Sequence, residues 1–187
     1  MMKMSNKNPD ISELKQYFNF YRQNILPLVE KYTTQSDSGC HTLEHTNSVV
    51  FRGIDLALSV GKNPMPVVFA GAFHDMARTH DGFDINHGKN AVPNAQKIMM
   101  IFPYNLTDLD KHKIIYAIEN HTTGRIAPDY VSACLWDADR IRLSWMYGYN
   151  AGFFNTDRAK YIASHPAQDY VNFQYLCFPN LFWSREY

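Results

Sequence analysis

The sequence carries no surplus of charge of either sign: Lys and Arg together number 18, and so do Asp and Glu. A chain without a net field does not gather nucleic acid or anionic membrane by bulk attraction, and this argues against a dedicated nucleic-acid-binding protein. A small anionic substrate is still allowed, because it needs only a local positive cluster. Cysteine is scarce as well. Cys40, Cys134 and Cys177 are odd in number and widely spaced, with no C-x-x-C pair, so neither a disulfide framework nor a zinc knuckle is indicated. No apolar run approaches the roughly 18 residues that a membrane helix needs. The segment Met1 to Pro9 lacks the apolar core of a signal peptide, and a reducing cytoplasm is the expected setting. Internal repeats, low-complexity tracts, linkers and strand-like alternation are all missing.

What is present is helical periodicity broken by short loops. A chain of 187 residues suits one domain with a sizeable core. Asp10 and Ser12 predict the start of a helix running to about Tyr32, bent at Pro27. A second helix is predicted over 42–59, with Gly61 as its C-terminal cap, and a third begins at Asn63 and Pro64. Further helices are predicted over 87–102, 107–121 and 129–145, then a short one capped by Asn155, Thr156 and Asp157 and ending at Ser164. Residues 166–177 could form another. The expected fold is all-α, a single-domain helical bundle over 1–187, with an aromatic-rich C-terminal extension from about 146. That tail suits core or oligomer packing, which leaves room for a homo-oligomer.

The chemistry gathers around His74 and Asp75, adjacent in the apolar run Val67 to Met76. Two unpartnered polar groups in an apolar helix cost several kcal/mol, and a divalent metal is the simplest partner that satisfies both. They lie about 100° apart on a helix and can edge one groove. His45 stands one turn before Val49, His87 opens a helix, His121 closes one, and Asp139 follows in the segment Trp136 to Arg140. Each of the six sits at or near a helix end or a groove edge, where several helices can converge on an ion. Asp137 and Asp139 are roughly 200° apart, so only one should face that ion, and Asp139 is favoured. His41 reads as a loop residue, His112 as part of a solvated charged face, and His165 as a turn residue. Arg140 reads as a fold-supporting residue paired with a carboxylate.

This ordered series, His45, then His74-Asp75, then Asp139 in an Ala-Asp-Arg setting, resembles the HD superfamily of metal-dependent phosphohydrolases. The resemblance spans about residues 41 to 145. Many two-metal members place two more histidines between the pair and the last Asp; His87, with Gly88 and Ala91 behind it, and His121, before Thr122, Thr123 and Gly124, match them. The chain departs from the HD-GYP branch. It has no Gly-Tyr-Pro loop, and Arg78 stands where that branch has lysine, so a cyclic-di-GMP substrate is not expected. The match is closer to small, largely uncharacterised HD hydrolases.

The resemblance implies one or two divalent transition ions (Mn, Zn, Fe, Co or Ni) held by His45, His74, Asp75, His87, His121 and Asp139. It implies cleavage of a phosphoester bond in a nucleotide or another small phosphorylated metabolite by metal-activated water. Asp75 can bridge two ions. Arg78, one turn beyond the pair, can grip a phosphate oxygen, with Lys89 and Arg125 as lesser candidates for the same work. Protonation of the leaving group is left open between metal-bound water, His80 and His121. Two rival functions use the same pattern: a di-iron oxygenase, and a non-catalytic metal- or nucleotide-binding regulator.

Overall fold

The computed structural model describes residues 9–34, 41–148 and 150–165, and among them there is no strand. Helix α1 (Ile11–Phe20) starts where the Asp10 carboxylate accepts the Ser12 N–H at 2.8 Å. The single bent helix expected to reach Tyr32 is in fact two. A π-helical turn, Tyr21–Ile25, separates α1 from α2 (Leu26–Tyr32). Pro27 is the cause: it offers no N–H to the carbonyl four residues back and its ring crowds that oxygen, so the chain widens by a residue just before it. The Leu26 N–H then reaches Tyr21 O.

Helix α3 (Leu43–Ser59) stops at Gly61, whose φ of 64° is the left-handed conformation that glycine adopts without strain. The Gly61 N–H donates to Leu58 O and the Lys62 N–H to Ala57 O, closing the last carbonyls. Helix α4 (Met65–Phe73) is buried on every side, which explains why its sequence is apolar all round instead of striped. It forms the axis of the bundle, packed against α3, α6 and α7. Helix α5 (His87–Ile101) pairs with α6 (Asp108–Asn120), whose start is fixed by reciprocal bonds between Thr107 and Asp110. Helix α7 (Tyr130–Tyr147) lies along α3, and α8 (Asp157–Ser164), capped by Thr156, packs on α7.

The core runs through the middle of this arrangement. Phe69 and Phe73 of α4, Ile114 and Ile118 of α6, and Trp136 of α7 are all essentially inaccessible. The Trp136 indole N–H is satisfied by Ala117 O at 2.9 Å. Because α4 ends in the centre of the molecule, the residues that follow it are delivered to the interior. Among the described residues no helix is long and apolar enough to cross a membrane. The helix expected over 166–177, and most of the aromatic tail, lie outside the described residues.

Candidate metal centre

His74 caps α4, and Asp75 lies in the turn that follows; both are buried. Around them α3 supplies His45 from its first turn, α5 supplies its first residue His87, the end of α6 supplies His121, and α7 supplies Asp139. The six residues singled out in the sequence therefore meet at one place. Asp139 is the most accessible of them, with 14% of its side chain exposed.

The Asp75 carboxylate organises the cluster. Its Oδ2 lies 3.4 Å from His74 Nε2 and 3.7 Å from His45 Nε2, while its Oδ1 lies 3.0 Å from His87 Nε2 and 3.5 Å from His121 Nε2. One oxygen thus faces each pair of histidines. Asp139 Oδ1 joins the first set, 3.1 Å from His45 Nε2 and 4.0 Å from His74 Nε2. The ligand atoms of His45, His74 and Asp139 lie within 4.8 Å of one another, as do those of His74, Asp75 and His121.

Hydrogen bonds on the far side of each ring decide what the near side offers. His74 Nδ1 donates to Gly71 O at 2.8 Å, and His121 Nδ1 donates to Ile118 O at 2.7 Å. The His87 Nδ1–H is held by Asp84 O. Carbonyls only accept, so the hydrogen sits on Nδ1 and the inward Nε2 is left to bind a proton or a metal. His87 Nε2 and His121 Nε2 then face each other at 2.7 Å, and Asp75 Oδ1, buried beside them, receives no hydrogen bond. Two lone pairs and a bare carboxylate oxygen at such distances repel unless a cation lies between them. The buried His45 Nδ1 also lacks a partner. This donor set fits a divalent transition ion, with imidazole and carboxylate as its natural ligands.

The electrostatics agree with that reading. Burial works to lower the pKa of His74, but the Asp75 carboxylate and then Asp139 outweigh it and raise the imidazole to about 9. Burial disfavours the charged form of Asp75, yet the neighbouring His74, with His41 Nδ1 at 2.9 Å from Oδ2, holds its carboxyl well below the usual range. Asp139 is likewise lowered, because His45 outweighs its burial. His45 itself is lowered, chiefly by burial. Without a metal, the site balances its negative charge by holding a proton on His74.

Arg78 is buried at the wall of a cavity of about 310 Å³ that opens onto Asp75, His87, His121 and Asp139. Its Nη2 donates to Gly82 O at 3.0 Å, and its Nη1 stands 3.0 and 3.3 Å from the two ring nitrogens of His87. The buried Nε has no partner. Among the described residues no carboxylate forms an ion pair with it.

The other expected contributors are placed differently. His80 is exposed and its Nδ1 accepts the Gly82 N–H at 3.0 Å, so its ring serves its own loop and does not line the cavity. Lys89 is exposed and also outside the cavity lining, because the α5 face that carries His87 turns the residue two places on toward solvent. Arg125 is exposed and lines a neighbouring cavity. Arg140 supports the fold as expected, but through backbone: it donates to Phe153 O at 3.1 Å and to Gly124 O, and among the described residues no carboxylate forms an ion pair with it. Asp137 is wholly buried, where it accepts the Asn155 and Thr156 N–H groups at 2.8 and 2.7 Å and ties the start of α8 to α7. His41, read from the sequence as a loop residue, does lie ahead of α3, but it also reaches the cluster. Its Nδ1 lies 2.9 Å from Asp75 Oδ2, and its ligand atom groups with those of His45 and Asp75. Its place one turn before His45 was the available signal.

No protein-family model matches this sequence, and no curated protein does either. Among solved structures, the chain is similar to the crystal structure of a predicted HD superfamily hydrolase from an uncultured Thermotogales bacterium. The two share 21% identity with a TM-score of 0.64, over 88% of this chain and 94% of that one. The bundle around His74 and Asp75 is thus the all-α fold of that HD superfamily structure.

Proposed function

We propose that this chain is a metal-dependent phosphohydrolase that cleaves a phosphoester bond in a nucleotide or another small phosphorylated metabolite. The observation that carries the reading is Asp75, a buried carboxylate whose two oxygens face two separate histidine pairs and one of which has no hydrogen-bond partner. The likeness to an HD superfamily hydrolase structure supports the hydrolytic class. His45, His74 and Asp139 would hold one ion and His87 and His121 a second, with Asp75 shared between them. A divalent ion in such a site supplies Lewis acidity and lowers the pKa of a water from about 15.7 toward about 7.

The chain's own residues do the rest. Gly71 O, Ile118 O and Asp84 O orient the three rings before any ligand arrives, so little reorganisation is left for the reaction. Arg78 brings a guanidinium to the cavity wall beside His87, where it would receive a phosphoryl oxygen and offset charge building on it.

The direct test is hydrolysis of 4-nitrophenyl phosphate and a panel of nucleotides by protein stripped of metal and then reloaded with manganese, zinc, cobalt or iron. Metal-dependent release of phosphate is expected. No release with any of the four metals, or oxygen consumption by the iron form without phosphate release, would contradict the proposal.

A further inference from the structure

A second cavity of about 370 Å³ adjoins the metal cavity and shares Thr122 and Arg140 with it as a common wall. Its other lining includes Thr123, Gly124, Arg125 and Phe153, and among the described residues no carboxylate lines it. The metal cavity, by contrast, carries Asp75, Asp81, Asp84 and Asp139 beside Arg78 and Arg140. The Arg125 guanidinium lies over the Phe153 ring, 5.8 Å from its centroid, and no ion pair holds it among the described residues. The Arg140 guanidinium is anchored over Trp136 and by the carbonyls of Phe153 and Gly124, the two segments that form the cavity walls. Both arginines line this one cavity. Two like charges held at one cavity, with hydroxyls beside them and no carboxylate in its described lining, are arranged for an anion.

We propose that the Arg125–Arg140 cavity is a second anion subsite, so that the substrate carries an anionic group besides the phosphoryl group placed at the His/Asp cluster. The substrate class is then a small molecule with two separated anionic groups, such as a bisphosphate, in preference to a simple phosphomonoester. The exposed face of Phe153, 46% accessible, gives the connecting part of the molecule an apolar surface beside Arg125. Arg140 positions both walls, and Arg125 supplies the exposed charge. This substrate class rests on the phosphohydrolase reading, whereas the anion subsite itself does not.

Two binding measurements on the full chain test the proposal. The first uses protein stripped over a chelating resin, with no chelator left in solution, and titrates it with adenosine 5′-monophosphate and adenosine by calorimetry. In the metal-free protein the nucleotide phosphate is expected at Arg125 and Arg140, and adenosine is expected to bind at least about tenfold more weakly. Arg125→Ala should weaken the monophosphate about tenfold, and Arg125→Lys should restore most of the loss. Equal affinity in wild type and Arg125→Ala overturns the subsite. The second compares adenosine 3′,5′-bisphosphate with the monophosphate on metal-loaded protein. A preference of about tenfold or more for the bisphosphate is expected, and it should vanish in Arg125→Ala. A wild-type ratio near one overturns the substrate class. Failure of the phosphohydrolase reading appears separately, as absent turnover, and leaves the metal-free result to decide the subsite.

Discussion

At the scale of single residues, the account turns on the distinction between side chains that a metal explains and side chains that the fold explains. Asp75 and the three histidines with carbonyl-bound Nδ1 atoms belong to the first group; Asp137, buried among backbone N–H groups, belongs to the second. Arg78 is buried without an ion pair among the described residues, and a phosphoryl oxygen is the partner its position suits. Arg78→Ala should therefore cut kcat/KM about 10- to 100-fold, the worth of one charge-assisted hydrogen bond, while the metal content stays at the wild-type level. Arg78→Lys should recover only part, since an ammonium cannot reproduce the fork. Unchanged kinetics in Arg78→Ala would remove it from the site. Steady-state kinetics beside elemental analysis reads both outcomes. The six clustered residues were legible in the sequence through their order, which resembles that of the HD superfamily, and each stands at a helix end or a groove edge. His80 and Lys89 were over-read because proximity in sequence says nothing about which way a loop ring or an outer helix face turns. His41 was under-read because its contact with Asp75 joins segments 34 residues apart.

At the scale of elements, the site depends on how closely α5 approaches the end of α6. Gly88 makes that approach possible: a Cβ there would stand 2.4 Å from Ile118 O and 2.9 Å from His121 Nδ1. Backbone on one side and a ligand ring on the other leave no room to yield. Gly88→Ala should push the start of α5 away, separate His87 from His121 and destabilise the protein by about 1–3 kcal/mol. Thermal melts and metal analysis check this, with loss of about one ion per chain expected in the folded variant. A variant with wild-type stability and metal content would show that the approach is slack. Gly124 plays a comparable role, since a Cβ there would meet the Trp136 ring at 2.3 Å. Helix caps and boundaries were readable from sequence to within about two residues for α3, α5, α6 and α8. The π turn before Pro27 was not, because proline announces a disturbance without stating its form. Nor could any local pattern announce the second cavity, which exists only because the Gly124 loop and the Phe153 turn meet across Arg140.

At the scale of the whole molecule, metal binding and folding are linked through the proton on His74. In the metal-free protein His74 is raised from 6.5 to about 9, so it contributes stability fully below about pH 6.5 and loses it as pH rises through about 9. A metal needs the neutral ring and displaces that proton, so its apparent affinity should rise with pH over the same window. The melting temperatures of metal-loaded and metal-free protein should therefore draw apart between pH 6.5 and 9. A gap that narrows with pH would contradict the assignment of the proton to His74. The fold class was readable from sequence because helical periodicity runs the length of the described chain, and the match to an HD superfamily structure over most of both chains agrees with it. The buried, unstriped α4 carries the site at its end, and the apolar run containing His74 and Asp75 was already the most informative segment of the sequence.

The central proposal is that Asp75 would be shared by two ions. The measurement that tests it most directly is elemental analysis of metal per chain for wild type and His121→Ala, both purified without chelator or affinity nickel. The account predicts two ions in wild type and one in the variant, with the His45, His74 and Asp139 set left intact. No metal in either protein after reconstitution, or the same number in both, would contradict it.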